Sequence, residues 1–251
     1  MTRRALVTGG SSGIGAAICR RLATDGWTVA VAGRSAERAQ AIADEIGGIA
    51  VVGDIIDPTH DPVADAVDGL GGLDCAVLNA GVIADADLAS TGPDDWARLL
   101  EVNVLAVHRH ARSAHPHLAA SGGSIVMTSS DAGVWGETAI AGYSITKRMV
   151  LALMRCLAAE WGPDGVRVNA LCPGDTAPGM LTTTAGRREP GATDGWLPPP
   201  LGLTVRAQDV AGAAAFLAGD DAARVTGVGL LIDAGMRASS TGWQTAPEGA
   251  R

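Results

Sequence analysis

Short apolar runs alternate with longer stretches of helical periodicity along nearly the whole chain. Residues 5–8, 28–32, 49–52, 75–78, 124–128, 167–171 and 229–232 are apolar runs of strand length. Between them, residues 14–24, 35–46, 94–118, 142–161 and 207–218 repeat their apolar positions at helical spacing. Ser35 is a natural cap for the second of these helices and Gly47-Gly48 a natural stop. Gly162-Pro163 closes the helix that starts at Gly142, and Pro116 predicts a bend near the end of the long 94–118 helix. Strand–helix alternation with strands that are apolar almost throughout predicts an α/β domain whose parallel sheet is buried on both faces. Its crossovers are expected to be right-handed.

No repeat and no second-domain boundary interrupts residues 1–251. Residues 175–203 break the rhythm: they are rich in Gly, Thr and Pro and contain Pro198-Pro199-Pro200. An irregular stretch of that length between two core elements predicts a substrate lid rather than a linker. Residues 239–251 read as a flexible tail.

Composition narrows the picture. With 251 residues, 47% of them hydrophobic, the chain can build one large core. The net charge of −8, the lack of a basic stripe and an aromatic content of 3% argue against nucleic-acid binding. No apolar run approaches the ~18 residues of a membrane span. The Arg3-Arg4 start is followed by too short an apolar run for a signal sequence, so a cytoplasmic protein without membrane partners is expected. Cys19, Cys75, Cys156 and Cys172 show no CxxC or metal spacing and have apolar neighbours, which predicts buried, reduced thiols. His108, His110, His115 and His117 share the long helix without clustered acids, so solvated or interface residues are expected and no metal site.

The candidate chemistry begins with the only tyrosine and the only lysine of the chain, Tyr143 and Lys147. Four residues apart on a helix, they share a face. A nearby cation favours phenolate over phenol and lowers a tyrosine pKa from its usual ~10, which makes a general acid/base. Arginine, planar and forked, substitutes poorly for the compact ammonium. The competing reading is an amphipathic helix that carries both residues by accident.

After the first strand comes Thr8-Gly9-Gly10-Ser11-Ser12-Gly13-Ile14-Gly15. In a chain with 34 glycines the spacing alone means little; its place between a strand and a helix gives it weight. There, glycines let the backbone approach a pyrophosphate, and the helix N-terminus supplies free N–H groups. A plain tight turn is the alternative. The second strand runs into Gly33-Arg34, with no acid where one would hold a ribose 2′-hydroxyl. An arginine there suits a 2′-phosphate. NADP(H) is therefore preferred, with NAD(H) as the alternative; Arg38 is a second candidate for the contact, and Arg34 as an ordinary solvated side chain is the competing reading. Trp135, Met180 and Trp196 are candidate walls of an apolar substrate pocket, or else subunit contacts.

Taken together, these motifs resemble the short-chain dehydrogenase/reductase family over almost the whole chain, from Thr8 to Gly235. The glycine loop matches the family's TGxxxGxG, and Asp54 in Gly53-Asp54-Ile55 matches the acid that meets the adenine amine. Asn79-Ala80-Gly81 matches the NAG element, Asn103 the helix asparagine of the catalytic tetrad, and Pro173-Gly174 the turn on the nicotinamide side. Ser130 lies 13 residues before Tyr143, the family's catalytic spacing. Three positions depart from the pattern. Pro178 stands where a threonine often holds the nicotinamide amide, which shifts that role to Thr176; Ser12 stands where many NADP enzymes carry a basic residue; Ala234 replaces a glycine.

The resemblance implies a Rossmann-like doubly wound fold in a single domain. It places the dinucleotide against Gly9, Ser11, Ser12, Gly13, Ile14 and Gly15, with Arg34, Asp54 and Ile55, Asn79, Ala80 and Gly81, and Pro173, Gly174 and Thr176 completing the contacts. Hydride moves between the nicotinamide and a carbonyl or secondary alcohol while Tyr143 carries the proton. Lys147 stabilises the phenolate and bonds the ribose, Ser130 holds the substrate oxygen, and Asn103 holds a water beside Lys147. A small-molecule ketone or alcohol is the expected partner. A 3-oxoacyl thioester reductase, with Arg187-Arg188 receiving a carrier's phosphopantetheine, is the rival within the class, and a catalytically silent dinucleotide sensor the rival outside it. The family also implies a homo-oligomer, a tetramer or dimer built through the helices carrying Asn103 and Tyr143.

Overall fold

The computed structural model describes residues 2–84, 86–137, 139–177, 199–202 and 204–238. Seven strands, β1 (Arg4–Thr8), β2 (Thr28–Gly33), β3 (Ile49–Val52), β4 (Cys75–Leu78), β5 (Ser124–Thr128), β6 (Arg167–Pro173) and β9 (Gly229–Ile232), form one sheet in the order β3-β2-β1-β4-β5-β6-β9. Every pairing within it is parallel. Strand order reverses between β1 and β4, so the crevice for a ligand opens at the carboxyl ends of those two strands. Thr8 lies opposite Leu78 in the register, which sets the loop after β1 beside the loop after β4.

The apolar runs serve both faces of the sheet, because successive strand side chains point to opposite sides. Ala5, Val7, Val29, Val31, Val77 and Val126 join one core cluster with helices α1 (Gly13–Thr24), α2 (Ala36–Ile46) and α8 (Ala207–Ala218). Their neighbours Leu6, Ala30, Ala76, Leu78, Ile125 and Met127 join a second cluster with α3 (Pro62–Leu70), α5 (Ala106–Ser121) and α7 (Ala141–Trp161). Leu6, Leu78, Ile125 and Met127 are fully buried, each worth about 1.5–3 kcal/mol of transfer free energy. At the far end of the sheet from the crevice, the Arg4 guanidinium grips Asp74 with two hydrogen bonds, Nε to Oδ2 at 2.8 Å and a terminal nitrogen to Oδ1 at 3.1 Å, and Arg4 N also donates to Oδ2 at 2.8 Å.

Several features differ from the sequence expectation. The helix α3 has no counterpart among the periodic stretches. At nine residues it is too short to display a period, and it is started by Pro62 and by Asp61, whose carboxylate accepts from Val63 N at 3.0 Å. The expected 94–118 helix is α4 (Pro93–Leu100), a π-helical turn (Glu101–Leu105) and α5, which runs through Pro116 to Ser121. Its irregularity thus falls at Asn103 rather than at the proline. His110 corrects the expectation of solvated histidines: it is only 2% exposed, and burial lowers its pKa to about 4. Cys156 corrects the expectation of buried thiols, being exposed on α7 while Cys19, Cys75 and Cys172 are buried.

Two short strands, β7 (Thr176–Ala177) and β8 (Val205–Arg206), pair in parallel and bracket the stretch expected to form a lid. Residues 178–198 and 203 of that stretch, and the tail at 239–251, lie outside the described residues. Among the described residues no helix is long and apolar enough to cross a membrane.

Candidate active site

The floor of the crevice is built by backbone held at close quarters. Thr8 ends β1, and its hydroxyl accepts from Asn79 N at 2.9 Å and from Ala80 N at 3.1 Å, while Asn79 Nδ2 donates to Thr8 O at 3.1 Å. Thr128, at the end of β5, donates to Asn79 Oδ1 at 3.2 Å. Three strand ends are therefore tied together. Gly9 turns the chain with φ of 65°, in the left-handed region. Gly15, in the first turn of α1, admits no side chain: a Cβ there would lie 2.1 Å from Gly9 O and 2.8 Å from Asn79 Nδ2. No side chain caps the N-terminus of α1. Backbone N–H groups and the positive end of the helix dipole thus remain available to an anion, and the glycine cradle fits the pyrophosphate of a dinucleotide.

The opposite wall is α7. Lys147 is 3% exposed, donates from Nζ to Thr128 O at 2.8 Å, and lies 5.6 Å from the centre of the Tyr143 ring. Burial lowers its pKa to about 8. Ser129 Oγ donates to Lys147 O at 2.7 Å, which pins this helix to the end of β5. Ser130 caps the short helix α6 (Asp131–Val134): its hydroxyl accepts from Ala132 N at 3.2 Å and donates to Asp131 Oδ1 at 3.1 Å. Asn103 is fully buried in the π turn. Its Nδ2 donates to Val82 O at 2.9 Å and to Thr146 Oγ1 at 3.1 Å, and its Oδ1 accepts from Val82 N at 2.9 Å. Beside it, a Cβ placed on Gly81 would lie 3.1 Å from Lys147 Nζ and 3.2 Å from Asn103 Oδ1.

These walls enclose a cleft of about 610 Å³. Gly9, Ser11, Ser12, Gly13, Ile14 and Gly15 line it, as do Arg34, Asp54, Ile55, Asn79, Ala80, Gly81, Ser130, Tyr143, Lys147, Pro173, Gly174 and Thr176. Asn103 stands behind the lining rather than in it. Thr176 is buried, and its hydroxyl donates to Gly174 O at 2.8 Å. Arg34 and Arg38 both reach the rim, but the carboxylate of Asp54 comes within 3.8 Å of the Arg34 guanidinium, a partner the strand end itself does not carry.

Trp135 does not line the cleft. It ends α6 with its side chain 47% exposed, and Glu137 and Ile140 from the same loop line the cleft instead. Met180, Trp196, Arg187 and Arg188 lie outside the described residues. Asp131, Val102 and Ile83 also line the site without having been singled out by any motif; for Asp131 the one available signal was its place directly after Ser130. Among the described residues no three His, Cys, Asp or Glu side chains group as metal ligands.

A family model described as enoyl-(acyl carrier protein) reductase matches residues 9–237. A solved structure described as a short chain dehydrogenase/reductase family protein superposes with a TM-score of 0.84 at 34% identity, covering 94% of this chain and 98% of that one. The chain belongs to the short-chain dehydrogenase/reductase family. As such it is an NAD(P)-dependent oxidoreductase acting on CH–OH groups. Among similar dehydrogenases of the family, L-fucose dehydrogenase of Mus musculus is 36% identical over 237 residues, covering 92% of this chain and 86% of its own. Meso-2,3-butanediol dehydrogenase of Serratia marcescens is 31% identical over 248 residues, covering 93% of this chain and 94% of its own. The structure of 3-ketoacyl-(acyl-carrier-protein) reductase from Brucella melitensis complexed with NADH gives a TM-score of 0.84 at 29% identity, with 93% of this chain and 97% of that one covered.

Proposed function

We propose that this oxidoreductase interconverts a secondary alcohol and its ketone with NADP(H), using Tyr143 as the general acid/base. One observation carries the reading: Tyr143, Lys147 and Ser130 line the same cleft as the glycine loop. When bound, the nicotinamide supplies or accepts the hydride. Tyr143 gives its proton to the carbonyl oxygen in reduction and takes it from the hydroxyl in oxidation. Lys147, as a buried ammonium beside the ring, favours the phenolate. Ser130 turns its hydroxyl from Asp131 to the substrate oxygen and holds it in line with Tyr143. Asn103 fixes the segment around Val82 beside Lys147 and would hold the water that links Lys147 to solvent.

The cofactor preference rests on Arg34 and Arg38 at the rim, which suit a 2′-phosphate. NAD(H) stands as the second reading, favoured by Asp54 beside Arg34 and by the NADH bound to the Brucella relative. The relatives named for L-fucose and meso-2,3-butanediol support a small hydroxylated substrate. The ketoacyl reductase among the similar structures favours a 3-oxoacyl thioester as the alternative. Assembly through the helices that carry Asn103 and Tyr143 belongs to the same reading, supported by the exposed apolar side chains of Leu105, Ile145 and Met149.

The test is Tyr143→Phe. Turnover of ketones with NADPH, and of alcohols with NADP⁺, is expected to fall at least ~10²-fold while NADPH binding, read by quenching of tryptophan fluorescence, persists. A Phe variant as fast as the wild type removes Tyr143 from the chemistry. Binding without turnover across a broad carbonyl panel in the wild type leaves a dinucleotide sensor.

A further inference from the structure

Nothing in the proton and hydride chemistry uses Asp131 or Arg237, yet Asp131 lines the cleft directly after Ser130 and Arg237 lines the chamber beside it. Asp131 opens α6 directly after Ser130. Its Oδ1 accepts from Ser130 Oγ at 3.1 Å and from Ala132 N at 2.7 Å, and its Oδ2 lies 3.6 Å from Arg237 Nε. Arg237 Nε is buried and makes no hydrogen bond. Asp131 lines the main cleft and also a side chamber of about 200 Å³, whose wall includes Gly174, Asp233 and Arg237. Asp233 is already engaged, its carboxylate accepting from Gly235 N and Arg237 N, both at 2.9 Å. Burial pushes the Asp131 carboxyl up while Arg237 beside it favours the ionised form.

The chamber therefore offers an anionic acceptor and an unsatisfied cationic donor at one spot. A carboxylate only accepts and a guanidinium only donates. A hydroxyl does both and complements the pair. A substrate carboxylate or sulfonate would be repelled by Asp131 and by Glu137 and Asp175, which line the same chamber. Since Asp131 Oδ1 sits 3.1 Å from Ser130 Oγ, a hydroxyl on the carbon next to the reacting one comes within its reach.

We propose that Asp131 and Arg237 form a subsite for a second substrate hydroxyl, so that the enzyme takes vicinal diols and their α-hydroxy ketones in preference to matching mono-alcohols. The proposal rests on the catalytic reading above and narrows its substrate class. In oxidation the reacting hydroxyl gives its proton to Tyr143 as the carbon that bears it gives up hydride; the second hydroxyl donates to Asp131, accepts from Arg237 and stays unchanged in the product. A site that hydrogen-bonds a hydroxyl through charged groups discriminates against the analogue lacking it, because its own groups are then left unpaired.

The experiment measures kcat and KM of the full chain for cyclohexane-1,2-diol against cyclohexanol and for butane-2,3-diol against butan-2-ol, with NADP⁺ and NAD⁺. The wild type, Asp131→Ala, Asp131→Asn and Arg237→Met are compared. The wild-type kcat/KM ratio of diol to mono-alcohol is expected at about 10-fold or more. The ratio is expected to fall toward unity in Asp131→Ala and Arg237→Met, with Asp131→Asn intermediate because it keeps a neutral acceptor. Loss of packing alone lowers both substrates together and leaves the ratio standing. A wild-type ratio near one, or a ratio unchanged in both Asp131→Ala and Arg237→Met, overturns the subsite while leaving the catalytic reading in place. Turnover of none of the four alcohols by the wild type would overturn the catalytic reading and the subsite with it.

Discussion

Burying Lys147 costs this fold stability, and the cost has a pH signature. Burial lowers its pKa from 10.5 to about 8. A gap of 10.5 − 8, about 2.5 units, corresponds to ~3 kcal/mol at ~1.36 kcal/mol per unit. The native state releases this proton near pH 8 and the unfolded chain keeps it to about 10.5, so between these values the unfolded state binds more protons and stability rises with pH. Below pH 8 the penalty is present in full. Replacing Lys147 by methionine, of similar length and no charge, removes the penalty. It also removes the hydrogen bond to Thr128 O, worth ~1 kcal/mol. Lys147→Met is therefore expected to be inactive yet more stable than the wild type by ~2 kcal/mol at pH 7. By pH 9.5 the wild type recovers ~2 kcal/mol of its own penalty and the two proteins converge. Urea unfolding of both at pH 7 and pH 9.5, beside an activity assay, reads this directly, because the other titrating groups are common to the pair. A stability difference that is the same at both pH values, or a methionine variant less stable than the wild type at pH 7, refutes the reasoning.

Two further perturbations probe the nucleotide end of the cleft. Arg34→Ala is expected to raise the KM for NADPH about 10-fold or more and to leave that for NADH little changed, with the ratio of kcat/KM values as the readout; an unaltered ratio would remove Arg34 from 2′-phosphate recognition. Gly15→Ala places a Cβ 2.1 Å from Gly9 O, a backbone atom that cannot swing aside. A loss of ~1–3 kcal/mol in stability and of measurable dinucleotide binding is expected from calorimetry and fluorescence titration, and a variant that retains both would contradict the close packing of loop and helix.

The strands and most helices were legible in the chain because their signals are local. An apolar run flanked by glycine and polar residues needs no partner to be recognised, and neither does the spacing of Tyr143 and Lys147. The long 94–118 helix was legible in period but not in form. Its π turn forms where Asn103 bonds Val82 and Thr146, residues 21 and 43 positions away, and no local pattern announces such a defect. His110 illustrates the same limit on a helix whose polar spacing suggests solvent. Which face of α5 is buried was decided by its packing in the cluster that holds α3 and α7, and that packing left His110 inside.

The amino-acid order alone thus determined the layered α/β architecture, the glycine loop at the first strand–helix turn and the helical pairing of phenol with ammonium, since each depends on groups within a few residues of one another. Tertiary structure decided the remainder. It set Asp54 from the end of β3 against Arg34 from the end of β2, stripped water from Lys147 until its pKa fell to about 8, and brought Arg237 to Asp131 from across the chain. Charge pairing and desolvation act through space, and the distances that govern them exist only once the sheet has brought its strand ends together.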